Sequence, residues 1–77
     1  MKIQVELLSS LAEYSPTGGN RFMVSLDEAI PVKELLDQLK IPEKRGKICL
    51  INGCHSSEER RLQEGDVITI FPMVDGG

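Results

Sequence analysis

Side chains that bind metals or act as nucleophiles are scarce in this 77-residue chain. There are two cysteines, Cys49 and Cys54, and a single histidine, His55. A structural zinc ion takes four such ligands and a plant-type iron–sulfur cluster takes four cysteines, so three candidates satisfy neither site. We therefore expect the chain to bind no metal or cofactor. We expect Cys49 to be a small buried hydrophobic residue, Cys54 a partly covered thiol and His55 a solvent-facing or structural residue.

Long apolar runs and an excess of positive charge are also lacking. The first residues alternate between apolar and polar, unlike a secretory signal, and no stretch is long enough to cross a bilayer. The net charge is -3, which provides no electrostatic attraction toward nucleic acid. We therefore expect residues 1–77 to form a single cytoplasmic domain with no nucleic-acid or membrane partner.

The apolar residues that are present predict two strands, then a helix. Residues 3–7 and 22–26 are apolar at every second position, which is typical of strands that bury one face, and residues 9–20 between them are rich in turn formers. We predict an antiparallel hairpin joined by a flexible turn. Apolar residues at 32, 35, 36 and 39 then follow helical spacing, which predicts a helix from Pro31 to Lys40, ended by Pro42.

The second half of the chain returns to strand patterns. Ile48–Ile51 is almost wholly apolar, which favours a central strand covered on both faces, and Asn52-Gly53 after it predicts a tight turn. A polar connection with Leu62 as its anchor leads to a β-branched strand that Pro72 ends. This order predicts an α+β β-grasp fold, in which a mixed sheet wraps around one helix and the last strand lies parallel to the first.

A catalytic site needs a nucleophile, a base and a group that stabilises charge, gathered in one pocket. The sequence offers no such set. Gly18-Gly19 lacks the lysine and hydroxyl residue of a phosphate-binding loop and is interpreted as a turn. The basic residues at 44, 45, 47, 60 and 61 are interpreted as solvated turns, with an acidic partner patch as the alternative. We expect the chain not to be an enzyme.

The segment from Met73 to Gly77 is interpreted as a flexible tail that ends in Gly76-Gly77. Two residues without a Cβ make the narrowest peptide, one that can enter a slit in an enzyme. Residues 74–77 would span roughly 13 Å when extended. A terminal carboxylate is ionised at neutral pH and can attack the α-phosphate of ATP if another protein binds the nucleotide.

The last third of the sequence resembles the MoaD/ThiS family of ubiquitin-like sulfur carriers. The resemblance rests on the segments 51–53 and 62–77, which read Ile-Asn-Gly and Leu-Gln-Glu-Gly-Asp-Val-Ile-Thr-Ile-Phe-Pro-Met-Val-Asp-Gly-Gly. It implies that Gly77 is adenylated by a ubiquitin-activating-type adenylyltransferase, which uses ATP. It further implies that a cysteine desulfurase or rhodanese-like donor converts Gly77 to a thiocarboxylate, while Gly76 lets the tail pass.

The ending is more similar to the molybdopterin synthase small subunit than to the thiamin carrier. This implies that the acceptor is the large subunit of molybdopterin synthase, in molybdenum or tungsten cofactor synthesis. Phe71, Pro72, Val74 and Asp75 would contact partners, with a core role as the alternative for Phe71. Asp75 and Met73 depart from the common family residues. The alternatives are a carrier for thiamin, cysteine or tRNA thiolation, a protein modifier conjugated through Gly77, and a plain interaction module.

Overall fold

The computed structural model describes residues 1–73, which form one sheet of five strands, one α-helix and one short 3₁₀ helix. The elements in chain order are β1 Lys2–Leu7, the 3₁₀ helix Ser9–Tyr14, β2 Arg21–Ser25, α1 Val32–Gln38, β3 Lys47–Ile51, β4 Cys54–His55 and β5 Val67–Pro72. Neither helix of the described residues approaches the length that would cross a membrane.

The strands lie in the order β2-β1-β5-β3-β4. β5 pairs in parallel with β1 and antiparallel with β3, and the other pairs are antiparallel. The predicted β-grasp fold, with its last strand beside the first, is therefore confirmed. β3 was predicted to be a central strand covered on both faces or nearly so; it does lie inside the sheet, between β5 and β4, but its outer face is only partly covered. β5 is the central strand, and Ile48 and Leu50 of β3 are only half-buried.

The core lies on one face of this sheet. It contains the alternating residues of the strands, the apolar stripe of α1 and single residues from the connections. The buried hydrophobic residues are Ile3, Val5, Leu7, Leu11, Phe22, Leu26, Ile30, Val32, Leu35, Leu36, Ile41, Cys49, Ile51, Leu62, Ile68 and Ile70. Since successive side chains of a strand point to opposite faces, the residues between these on each strand lie on the other face, which we call the outer face.

The connection between β1 and β2 differs from the flexible turn that was predicted. Ser9–Tyr14 forms a 3₁₀ helix, in which residues three apart lie on the same side. That spacing lets Leu11 enter the core completely and Tyr14 pack against it. The apolar contact orders the segment, although its sequence contains many polar and small residues.

The main helix is shorter than predicted, since Pro31 is its N-cap in an extended conformation and Leu39 is its C-cap. Pro31 makes no side-chain hydrogen bond to the first N–H groups of the helix, and backbone carbonyls of the polar connection before β5 accept those bonds instead. The backbone N–H of Val32 donates to the Arg60 carbonyl at 2.9 Å, and that of Lys33 donates to the Glu58 carbonyl at 2.8 Å. These bonds satisfy helix N–H groups that have no partner within the helix. Leu62, fully buried, anchors the connection as predicted.

The tight turn at Asn52-Gly53 joins β3 to the two-residue strand β4, which was not predicted. Both residues have positive φ, 52° and 84°, as a two-residue hairpin turn requires. Asn52 also binds the start of β5. Its amide nitrogen donates to Asp66 Oδ1 at 3.0 Å, and its side-chain oxygen accepts the N–H of Val67 at 3.0 Å. Asp66 is 5% exposed, and its Oδ2 accepts the N–H of Gln63 at 2.8 Å.

We expect Asp66→Ala to lower the free energy of unfolding by about 1–3 kcal/mol, because it leaves the partly buried backbone N–H of Gln63 and the Asn52 amide without their acceptor. Urea unfolding followed by circular dichroism measures this change. Asp27→Ala removes an exposed carboxylate and is the matched control, expected to change stability little. Equal stability of the two variants would contradict a structural role for the Asn52–Asp66 pair.

Candidate functional site

The C-terminal part of the chain leaves the sheet from its central strand. Pro72, the last residue of β5, lies opposite Lys47, the first residue of β3. The backbone N–H of Met73 donates to the Gly46 carbonyl at 3.1 Å, so the first residue of the predicted tail is still bound to the fold. The predicted site residues Val74, Asp75, Gly76 and Gly77 follow at once but lie outside the described residues.

An apolar surface lies on the outer face beside this exit. Phe71 of β5 is directly opposite Ile48 of β3, and Leu50 of β3 is opposite Thr69 of β5. We call Ile48, Leu50 and Phe71 the outer apolar strip. All three side chains are half-buried. The strip thus offers apolar area to a partner at the end of the sheet from which the chain leaves.

The position of Phe71 argues against the core role that the sequence left open for it. Ile68 and Ile70 on the same strand are fully buried in the core, and Phe71 follows Ile70 directly. Since neighbouring strand residues point to opposite faces, Phe71 belongs to the outer face rather than the core. Pro72, the other predicted contact residue of this strand, is half-buried on the core side, beside Lys47.

Polar residues border the strip. Thr69 lies between the strip and Glu6 of β1, and Glu6 forms an exposed ion pair with Arg21 at 3.3 Å. On the other side, His55 of β4 is exposed and lies opposite Leu50, as expected for a solvent-facing residue. The arrangement, an apolar centre with a polar border, is typical of surfaces that bind proteins.

The basic residues of the two predicted clusters lie in different environments. Lys47 is nearly buried, with a side chain only 3% exposed, and its ammonium group donates to backbone carbonyls. Arg61 donates to the Ala29 carbonyl at 2.9 Å. Lys44 is exposed. The guanidinium group of Arg45 donates to the Ser10 hydroxyl. Three of these basic residues therefore make hydrogen bonds within the fold, which the solvated-turn interpretation did not foresee.

The two thiols lie in opposite environments. Cys49 is buried, as predicted, and its burial, together with the negative charge of Glu58, raises the pKa of its thiol to about 11 against the opposing effect of Lys47. A thiol with such a pKa is protonated at neutral pH and is a poor nucleophile. Cys54 is exposed, so the prediction of a partly covered thiol is wrong: the hairpin turn holds it at the sheet edge. Within residues 1–73, no three metal-binding side chains gather.

Sequence reasoning missed Ile48 and Leu50 as surface residues and Lys47 as a structural cation. The apolar run from 48 to 51 concealed the alternation, because both faces of β3 carry apolar side chains. No sequence signal places the Lys47 ammonium against the carbonyls that precede it.

Comparisons with known proteins identify relatives of this arrangement. The sequence model of the ThiS family matches residues 6–77. The structure is similar to a putative molybdopterin converting factor subunit 1 of Pyrococcus furiosus, with a TM-score of 0.77, 21% identity and coverage of 95% of this chain and 98% of that chain. It is also similar to small archaeal modifier protein 1 of Haloferax volcanii, with a TM-score of 0.76, 22% identity and coverage of 95% and 98%.

A third similar structure is a chain in the complex of subunits 1 and 2 of the molybdopterin-converting factor of Helicobacter pylori. Its TM-score is 0.63 at 23% identity, and the alignment covers 100% of both chains. No similar sequence was found among curated proteins. At these identities the structural likeness establishes a shared fold.

We expect a thiol reagent such as iodoacetamide to modify Cys54 in the folded protein and Cys49 only after unfolding. At pH 9 roughly 1% of a thiol with a pKa of about 11 is ionised, and the side chain is shielded as well. Mass spectrometry of peptides after labelling with and without urea measures both sites. Cys54→Ser is the control and should leave a single, protected thiol. Rapid labelling of Cys49 in that folded variant would contradict the assigned environment.

Proposed function

Since this chain belongs to the ThiS family, whose members are small ubiquitin-like carrier proteins, we propose that it carries sulfur as a thiocarboxylate on Gly77. The observation that carries the proposal is the exit of the chain from the central strand beside the outer apolar strip. A partner that binds Ile48, Leu50 and Phe71 would lie close to Met73, after which the segment that ends in Gly77 begins. The strip would provide the binding energy and the tail would carry the reacting carboxylate.

The chemistry follows from the terminal carboxylate. In a ubiquitin-activating-type adenylyltransferase, the carboxylate of Gly77 attacks the α-phosphate of ATP and releases pyrophosphate. The terminal sulfur of a persulfide on a cysteine desulfurase or rhodanese-like donor then attacks the acyl-adenylate and displaces AMP, which gives an acyl disulfide with the donor cysteine. A second thiol attacks the sulfur of that cysteine, forms a disulfide with it and releases the thiocarboxylate. The chain itself needs no catalytic residue for these steps, since nucleotide binding and activation belong to the partner.

The acceptor we favour is the large subunit of molybdopterin synthase. The support is the similarity to two proteins of the molybdopterin-converting factor, one of them in a complex of its two subunits. In this role the chain would be the small subunit of the synthase, binding through the outer apolar strip with Pro72, Val74 and Asp75 at the border of the tail. Carriers for thiamin, cysteine or tRNA thiolation share the same features and differ only in the acceptor.

A protein modifier joined to lysines through Gly77 is the second candidate function. The similarity to a small archaeal modifier protein favours it, since the two chains have nearly the same length and fold. Both functions begin with adenylation of Gly77, so they separate only afterwards. Isopeptide-linked Gly77 on cellular proteins would indicate the modifier, whereas loss of sulfur to a small acceptor would indicate the carrier.

We expect Gly77→Ala to abolish thiocarboxylate formation while the domain stays folded, because the core described above is built from residues between Ile3 and Ile70. Intact mass after incubation with ATP, a sulfur donor and the activating enzyme measures the exchange of one oxygen for sulfur. Gly19→Ala is the matched control: a Cβ there would meet its nearest atoms at ordinary distances of 3.7 and 3.9 Å. Full conversion of the Gly77→Ala variant would refute the carrier mechanism.

We expect Phe71→Ala to weaken binding to the activating enzyme by about 1–3 kcal/mol, the usual loss when a central apolar contact is truncated. Isothermal titration calorimetry measures the affinity. Met23→Ala is the control, since Met23 is 61% exposed on the same outer face but belongs to the opposite edge strand. Equal losses in the two variants would mean that the strip has no special role in docking.

A further inference from the structure

Lys47 is a buried cation at the place where the chain leaves the sheet. Its ammonium group donates to the carbonyl oxygens of Pro42 at 3.3 Å, Glu43 at 3.3 Å and Arg45 at 3.0 Å. These three acceptors match the three N–H donors of an ammonium group. Its side chain is 3% exposed. The nearest carboxylate oxygen, Oε2 of Glu58, is 4.0 Å away, so the backbone of the turn provides the closest contacts.

This arrangement holds the turn 42–46 in one shape. A buried ammonium group is costly unless its hydrogen bonds are made, and here they are made by the carbonyls of three residues of the turn. The N–H of Arg45 donates to the Pro42 carbonyl at 3.0 Å and closes the same turn. Opening the turn would therefore expose the cation and break several bonds together. The turn and the first residue of β3 form one unit.

The same turn binds the chain at its exit. Gly46, the last residue of the turn, accepts the hydrogen bond from the N–H of Met73 at 3.1 Å. Because Met73 rather than Pro72 donates to the turn, the missing N–H of Pro72 costs the β3–β5 pairing no bond. The backbone at Gly46 also lies close to Met73, since a Cβ added to Gly46 would be 3.3 Å from the Cβ of Met73.

We propose that Lys47 is a positioning residue that fixes, through Gly46, the point at which the C-terminal segment leaves the sheet. The structural role of Lys47 stands on its own, and only its expected effect on turnover by the activating enzyme rests on the proposed function. A fixed exit point sets where the segment that ends in Gly77 begins relative to the outer apolar strip, and so limits the positions that the partner must search for the carboxylate. Orientation of a reacting group before the reaction lowers the barrier, so the effect belongs to the turnover rather than to docking.

Lys47→Met tests the proposal, because it keeps a long apolar stem and removes the charge and its donors. We expect the amide of Met73 to exchange with deuterium about tenfold faster, relative to the amide of Ile70 in the centre of β5. Nuclear magnetic resonance measures both amides in one sample. Lys44→Met removes an exposed lysine from the same turn and should leave the Met73 amide unchanged. With the activating enzyme, kcat should fall several-fold in Lys47→Met while KM stays near its original value.

Gly46→Ala disturbs the same contact from the other side and leaves Lys47 intact. It should also accelerate exchange at Met73, which keeps the test decisive if Lys47→Met fails to fold. Unchanged exchange at Met73 in Lys47→Met, or an equal change at Ile70, would overturn the proposal, as would an equal effect in Lys44→Met. If the unaltered protein acquires no thiocarboxylate, the proposed function fails, while the exchange experiment still decides the role of Lys47.

Discussion

The insertion of β5 between β1 and β3 is the constraint on which the rest of the structure depends. β5 supplies two of the fully buried core residues, Ile68 and Ile70, and it hydrogen-bonds to a neighbour on each side. Without β5, the hairpin β1–β2 and the hairpin β3–β4 would not be joined into one sheet. The Asn52–Asp66 pair fixes the start of β5, and the Gly46–Met73 bond fixes its end. Both ends of the central strand are therefore held by contacts to turns at the ends of β3.

The position of β5 also explains why the candidate site lies where it does. A central strand is covered on its core face but can leave its other face free, and that free face is where Phe71 meets Ile48. The segment that we propose to carry sulfur follows the same strand. Phe71 of the strip and the proposed reacting residue Gly77 are thus only six positions apart in the sequence.

Much of the fold follows from residue patterns, and what failed has physical reasons. The strands at 3–7 and 22–26 were predictable because their alternation is regular, and the turn at Asn52-Gly53 because few residues adopt positive φ. The 3₁₀ helix was missed because Leu11 is ordered by the core rather than by its neighbours in sequence. Cys54 was placed wrongly because the strand β4 exists only through pairing with β3.

The candidate site divides in the same way. The glycine pair at the end of the sequence and the family pattern before it were recognisable from the residues alone. The outer apolar strip was not, since Ile48 and Leu50 resemble core residues until their pairing with β5 is known. The function of Lys47 depends on backbone carbonyls, which no side-chain pattern records. The sequence therefore predicted the reacting end, while the structure was needed to find the outer apolar strip.

The outer apolar strip determines at which stage of folding a partner enzyme can first bind the protein. Two of its residues belong to β3 and one to β5, so the strip does not exist in a chain whose central strand has not yet been inserted. Because the pairing joins segments far apart in sequence, it forms late relative to local turns. An enzyme that docks on the strip would not bind misfolded copies of the protein, even if their C-terminal Gly76-Gly77 were intact. Only folded protein would then be adenylated, and no ATP would be consumed on misfolded copies.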